Sequence, residues 1–174
     1  MAHRIRIRRR RGTRGGLVAS AAAAGLILAA AVHGHGPAAA PGKAAAAAVS
    51  YARAQIGQPY LWGAAGPGAF DCSGLVMAAY AAAGITIERT SQEQWASEPH
   101  VSAPQAGDLV FFTGALQPGE QPPGHVGLVV DPARHLMIDA YGTGAGVRYD
   151  TYGLASSAAG LSAPWGFTDP AGGG

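Results

Sequence analysis

The chain changes texture at Pro104, and that change limits its architecture more than any other feature. Before it, apolar residues fall at helical spacing. In "DCSGLVMAAYAAAG", Leu75, Val76, Ala79, Tyr80 and Ala83 form one stripe, and Gly84 closes it. "AAAAVSYARAQIG" is also helical and stops at Gly57, and "TSQEQW" opens with Thr90 as N-cap and Glu93 placed for a capping box. After Pro104 come "GDLVFFTG", "HVGLVVD", "HLMIDAYG" and "GVRYDTY", short apolar or alternating runs parted by Gly, Pro and Asp. Helices first and strands afterwards predict an α+β fold with an antiparallel sheet.

The ends divide from this body. Seven of the twelve basic residues are arginines between positions 4 and 14. The uncharged run "LVASAAAAGLILAAAV" (Leu17 to Val32) follows, and then "PAAA", which offers an Ala-x-Ala cleavage pattern. We read residues 1–40 as an export signal. A retained membrane anchor is the alternative, although the run is shorter than a spanning helix needs. A basic nucleic-acid arm would leave the apolar run unexplained. Beyond position 40, five basic residues face ten acidic ones, so the body is acidic and no nucleic-acid partner is expected. Residues 41–48 read as a low-complexity linker, 49–168 as the domain, and 169–174 as a disordered tail.

Cys72 is the sole cysteine of the chain. In an exported protein it has no internal disulfide partner, so it is either a small buried hydrophobe or a reactive group. It sits where a helix begins, with Asp71 or Ser73 as cap, and the positive end of a helix favours a thiolate. A base is also needed. His125 opens an apolar strand, whereas His135 follows Asp131–Pro132 in a turn and His100 adjoins Pro99 in a loop. His125 is therefore the best partner. Asp139, a carboxylate in an apolar strand segment, could orient the imidazole if its strand forms a hairpin with that of His125. No compact Cys/His spacing for zinc, nucleophile-elbow serine, or nucleotide-binding glycine loop is present.

"QPYLWGAAGPGAFDCSGLV", "RTSQEQ", "PQAGDLVFF" and "GHVGLVV" occur in this order, and together they resemble the signatures of the NlpC/P60 family of cell-wall cysteine peptidases. The likeness runs over roughly positions 48 to 152. It implies a papain-like α+β domain that cuts peptidoglycan stem peptides, often between the γ-carboxyl of D-glutamate and the diamino acid, with no metal or cofactor. It also implies Cys72 as nucleophile, His125 as general base, Tyr60 beside the thiolate, and Asp71 and Ser73 shaping the substrate pocket. Two positions depart from the family. Ala64 stands where a second glycine is common, and Asp139 stands where the third polar residue is usually a histidine. Asp139 is expected to accept from the Nδ1–H of His125. A secreted or wall-associated monomer follows. An amidase or acyltransferase acting on another amide or ester, and a catalytically weak wall-binding domain, are the competing readings.

Overall fold

The computed structural model describes residues 42–172 except Gln117. The export signal or anchor read over 1–40 lies outside the described residues. Within them no helix is long and apolar enough to cross a membrane.

Among the described residues, three helices precede the sheet: α1 (Lys43–Ala54), α2 (Cys72–Ala82) and α3 (Ser91–Ser97). Composition reads 41–48 as linker, but α1 already begins at Lys43. The run of alanines explains the difference, because alanine is the strongest helix former. Packing adds to it. Ala45 and Ala48 are buried, and Ala45 seats against Gly107, where a Cβ would come within 2.4 Å of the alanine Cβ.

Helix α2 is nearly apolar all round and is buried accordingly. Leu75, Val76, Ala79 and Tyr80 have no exposed surface. Truncating Leu75 to alanine would cost about 2–5 kcal/mol. The hydroxyl of Tyr80 donates to the carbonyl of Gly107, so even the polar tip of this buried ring is satisfied. Helix α3 has the predicted capping box: the N–H of Glu93 donates to the Thr90 hydroxyl, and the Glu93 carboxylate accepts from the N–H of Thr90.

Six antiparallel strands follow: β1 (His100–Val101), β2 (Leu109–Phe112), β3 (His125–Asp131), β4 (Leu136–Ala140), β5 (Val147–Thr151) and β6 (Gly166–Thr168), in the spatial order β1-β6-β2-β3-β4-β5. The α+β fold is as expected. The four long runs form the centre and one edge, while β1 and β6 are too short to stand out in the sequence. His100, expected in a loop, lies in β1 and stacks on Trp95. The tail read as disordered from 169 is ordered through Gly172. Asp169 donates its N–H to the carbonyl of Pro99, and its carboxylate accepts from Ala171 and Gly172.

Strand alternation gives the sheet two dissimilar faces. Leu109, Phe111, Val126, Leu128, Val130 and Ile138 face α1 and α2 in the main core. Val110, Phe112, Val129 and Met137 form a second cluster, closed by Tyr152 and Leu161 from the segment after β5. His125 pairs with Phe112, and its ring lies 5.9 Å from that phenyl, so it belongs to the second face. As the first residue of β3, it stands at the end of the sheet.

Candidate active site

The site begins with the loop that precedes α2. Phe70 donates its N–H to the carbonyl of Pro59, and Leu61 donates to that of Phe70. These bonds fix Tyr60 beside the start of the helix. Asp71 is the N-cap: its Oδ1 accepts from the N–H of Gly74 at 2.7 Å, and its Oδ2 accepts from that of Gly63 at 2.8 Å. Cys72 is consequently the first helical residue and holds a buried free thiol. Gly74 permits this arrangement, since a Cβ there would lie 2.2 Å from the carbonyl oxygen of Ala64. Ala64 itself causes no strain. Among the described residues His135 is the single non-glycine with positive φ.

Arg89 reaches the same turn. Its guanidinium meets both carboxylate oxygens of Asp71, at 3.1 and 2.6 Å, and donates to the Ser73 hydroxyl at 3.0 Å. Fully buried Gln94 adds a donor to the carbonyl of Ser73 at 3.1 Å. Nothing in the sequence marks either residue as part of the site. "RTSQEQ" advertises a helix start, and only folding shows that both flanks of that start bind the turn that carries Cys72.

His125 and Asp139 approach from the sheet. His125 is 8% exposed and Asp139 is completely buried, with Nε2 of the ring 2.7 Å from Oδ2 of the carboxylate. The expected hairpin through Asp131–Arg134 provides this contact. Gly127 leaves room for it: a Cβ there would meet Met137 Sδ at 2.6 Å and the Asp139 Cβ at 3.4 Å. The ring nitrogen differs from the one expected. Asp139 engages Nε2 rather than Nδ1. That leaves Nδ1 to face Cys72, whose side chain acts on the ring. Burial by itself lowers the pKa of His125, but the hydrogen bonds to Asp139 and Cys72 and their negative charge outweigh it, and the imidazole is pushed up to about 10.

Tyr60 is likewise shifted, to about 12, first by burial and then by the charges of Cys72 and Asp71. It therefore remains an O–H donor at neutral pH. His135 lies elsewhere, bonded through Nδ1 to the carbonyl of Tyr152. Among the described residues no group of three or more His, Cys, Asp or Glu side chains is arranged to hold a metal ion.

Cys72 opens into a cleft of two lobes that share Trp62, Cys72, Ala115 and Gly124. The smaller lobe, about 280 Å³, is charged and contains Asp71, Ser73, Arg89 and Glu120. The larger, about 570 Å³, contains Tyr60, His125 and Tyr141, and residues 159–163 form part of its wall.

The sequence pattern of the NlpC/P60 family matches residues 57–157, a span that takes in the loop of Tyr60, the Cys72 turn, Arg89 and both strands of the His125–Asp139 pair. The chain belongs to the NlpC/P60 family. A probable endopeptidase of Corynebacterium glutamicum is 52% identical over 86 residues, which are 48% of this chain and 40% of that protein. The bifunctional muramidase/DL-endopeptidase CwlT of Bacillus subtilis is 47% identical over 81 residues, 45% of this chain and 24% of that one. The matched stretch is thus well under half the length of these curated relatives. Among solved structures, the peptidoglycan hydrolase RipB of Mycobacterium tuberculosis superposes with a TM-score of 0.56 at 27% identity, covering 74% of this chain and 65% of that one. An NlpC/P60 family protein of Staphylococcus aureus gives 0.61 at 28% identity, covering 78% and 44%. These NlpC/P60 folds share the antiparallel sheet and the helices packed on it.

Proposed function

We propose that this chain is an exported cysteine endopeptidase that hydrolyses peptidoglycan stem peptides, with the γ-D-glutamyl–diamino acid amide as its target. One observation carries the reading: a thiol at the first turn of a helix meets an imidazole whose far nitrogen is held 2.7 Å from a buried carboxylate, at the floor of an open cleft. Thiol, base and orienting group in that order are what nucleophilic acyl transfer requires. The peptidoglycan substrate is supported by the names of the relatives, and export by the arginine-rich, apolar start of the sequence.

In this scheme the Cys72 thiolate attacks the amide carbonyl, and the carbon–sulfur bond forms as the carbonyl electrons move to oxygen. The Cys72 N–H at the start of α2 and the Tyr60 hydroxyl stabilise that oxyanion. His125 delivers its Nδ1 proton to the departing nitrogen, the C–N bond breaks, and the amine leaves. Water then loses a proton to His125 and attacks the thioester, which releases the acid and restores the thiolate. Asp139 keeps the ring in one orientation throughout and favours the imidazolium.

The test is incubation of the full chain with purified peptidoglycan, followed by mapping of the fragments. New D-glutamyl γ-carboxyl termini that disappear with Cys72→Ala are expected. Fragments that persist in that variant would exclude the thiol mechanism, and termini elsewhere in the polymer would move the enzyme to a different amide. Detection of the protein outside the cell only while residues 1–40 are present would test export.

A further inference from the structure

Tyr141 stands directly after β4 and takes no part in the acyl-transfer scheme, yet it touches both the base and the cleft wall. Its ring stands edge-on to His125 with centroids 6.2 Å apart. The Arg148 guanidinium lies over that ring, 4.3 Å from its centroid, and is itself held by Asp150 at 2.6–2.7 Å. The Tyr141 hydroxyl donates to the carbonyl of Ala159 at 2.9 Å. Ala159 begins the 159–163 wall of the larger lobe. The middle of that wall is anchored independently: Leu161 is 2% exposed in the second core cluster, and its carbonyl accepts from the N–H of Gly153. The Tyr141 hydroxyl ties the near end of the wall to the strand that carries Asp139.

In the acyl-transfer scheme proposed above, the larger lobe is the side that receives the leaving amine. His125 lines it and does not line the smaller lobe, and a proton donor must face the nitrogen it protonates. Resting on the function proposed above, we infer that Tyr141 is a positioning residue that sets specificity on the amine side of the scissile bond. Its hydroxyl fixes the wall against which the amine-side residue docks. Its ring, backed by Arg148, fixes the distance from that wall to the imidazole. No Asp, Glu, Lys or Arg is among the residues lining this lobe. Apart from the His125 imidazolium, which the acyl-transfer scheme uses, a charged side chain would lose hydration there without gaining a partner. The lobe therefore fits an uncharged stretch of peptide that continues past the scissile amide, with charged ends reaching solvent.

The full chain is assayed on two substrates with the same acyl side. One continues at least two residues past the scissile amide, and the other ends there as a primary amide, which leaves the larger lobe empty. Tyr141→Phe keeps the ring and deletes only the tether. For the long substrate KM is expected to rise about three- to tenfold, the worth of one exposed hydrogen bond, with kcat changed by less than about twofold. The kinetics on the primary amide, and the pH profile on either substrate, are expected to stay as in the wild type. If the primary amide turns over too slowly, its inhibition constant against the long substrate replaces KM. Arg148→Gln is expected to act in the same direction. Equal losses on both substrates, or no loss on the long one, would overturn the inference and leave the Cys72 mechanism intact. A wild-type chain without Cys72-dependent cleavage of either substrate would remove the proposed function, and the inference with it.

Discussion

Nε2 of His125 is bonded to Oδ2 of Asp139 at 2.7 Å, so the carboxylate holds the ring by the nitrogen remote from the thiol. The folded protein thereby keeps the imidazole charged well above its ordinary 6.5, up to about 10. A raised folded-state pKa stabilises the fold fully below about 6.5, and this contribution is lost as pH rises through about 10. Asp139→Asn retains an acceptor but removes the charge. The alkaline limb of its kcat/KM profile is expected to move to lower pH, and its melting temperature to vary less between pH 7 and 10 than that of the wild type. An unmoved alkaline limb would take Asp139 out of the site.

Arg89 joins three atoms of the Cys72 turn, a geometry that a lysine ammonium cannot reproduce. The guanidinium is about one-third exposed, so screening holds its contribution to stability near 1 kcal/mol. Arg89→Lys should therefore lower the melting temperature only slightly while reducing kcat/KM much more, because Asp71 and Ser73 border the nucleophile. Calorimetry and steady-state kinetics on the same preparation test this. Parallel losses in both would mean that Arg89 serves the fold alone.

Gly74 is confined by backbone rather than by a movable side chain. Gly74→Ala would press on the carbonyl of Ala64 and displace either the loop or the first turn of α2, at a cost of about 1–3 kcal/mol. Urea unfolding gives the loss directly. Alkylation of Cys72 by iodoacetamide should slow as its environment shifts, and an unchanged rate with unchanged stability would contradict the close approach.

Far from the cleft, Asp108 is raised to about 6, first by burial, with its bond from the Gln105 N–H opposing and the charge of Asp169 adding. A carboxyl that holds its proton more tightly when folded adds stability that is complete below about 3.8 and fades as pH rises through about 6. Asp108→Asn should flatten the pH dependence of the melting temperature in that window and leave activity alone. The same slope in variant and wild type would refute it.

Local spacing makes much of this molecule legible. The stripe of α2, the Thr90–Glu93 box and the four long strands follow from periods of 3.6 and 2 that any sequence displays. The meeting of Asp139 with His125 is also accessible, because one hairpin between adjacent strands decides it. What stays hidden depends on distance in space alone. Arg89 and Gln94 reach the Cys72 turn from 16 to 21 residues away, and the motif they flank signals nothing beyond a helix start. The choice of Nε2 over Nδ1 depends on the rotamer of the ring, which no spacing in the sequence encodes. Strand β6 has three residues, "GFT", with no periodicity to read, and is held by backbone pairing on both sides.

That last strand has a consequence for the order of events during synthesis. Gly166–Thr168 fits between β1 and β2, two elements made more than fifty residues earlier. Until it emerges, Leu109–Phe111 presents an open hydrogen-bonding edge, and β1 has nothing to pair with. Cys72, His125 and Asp139 are all translated before that gap can close. The full sheet beneath the thiol and its base is thus assembled only after nearly every other described residue has been made.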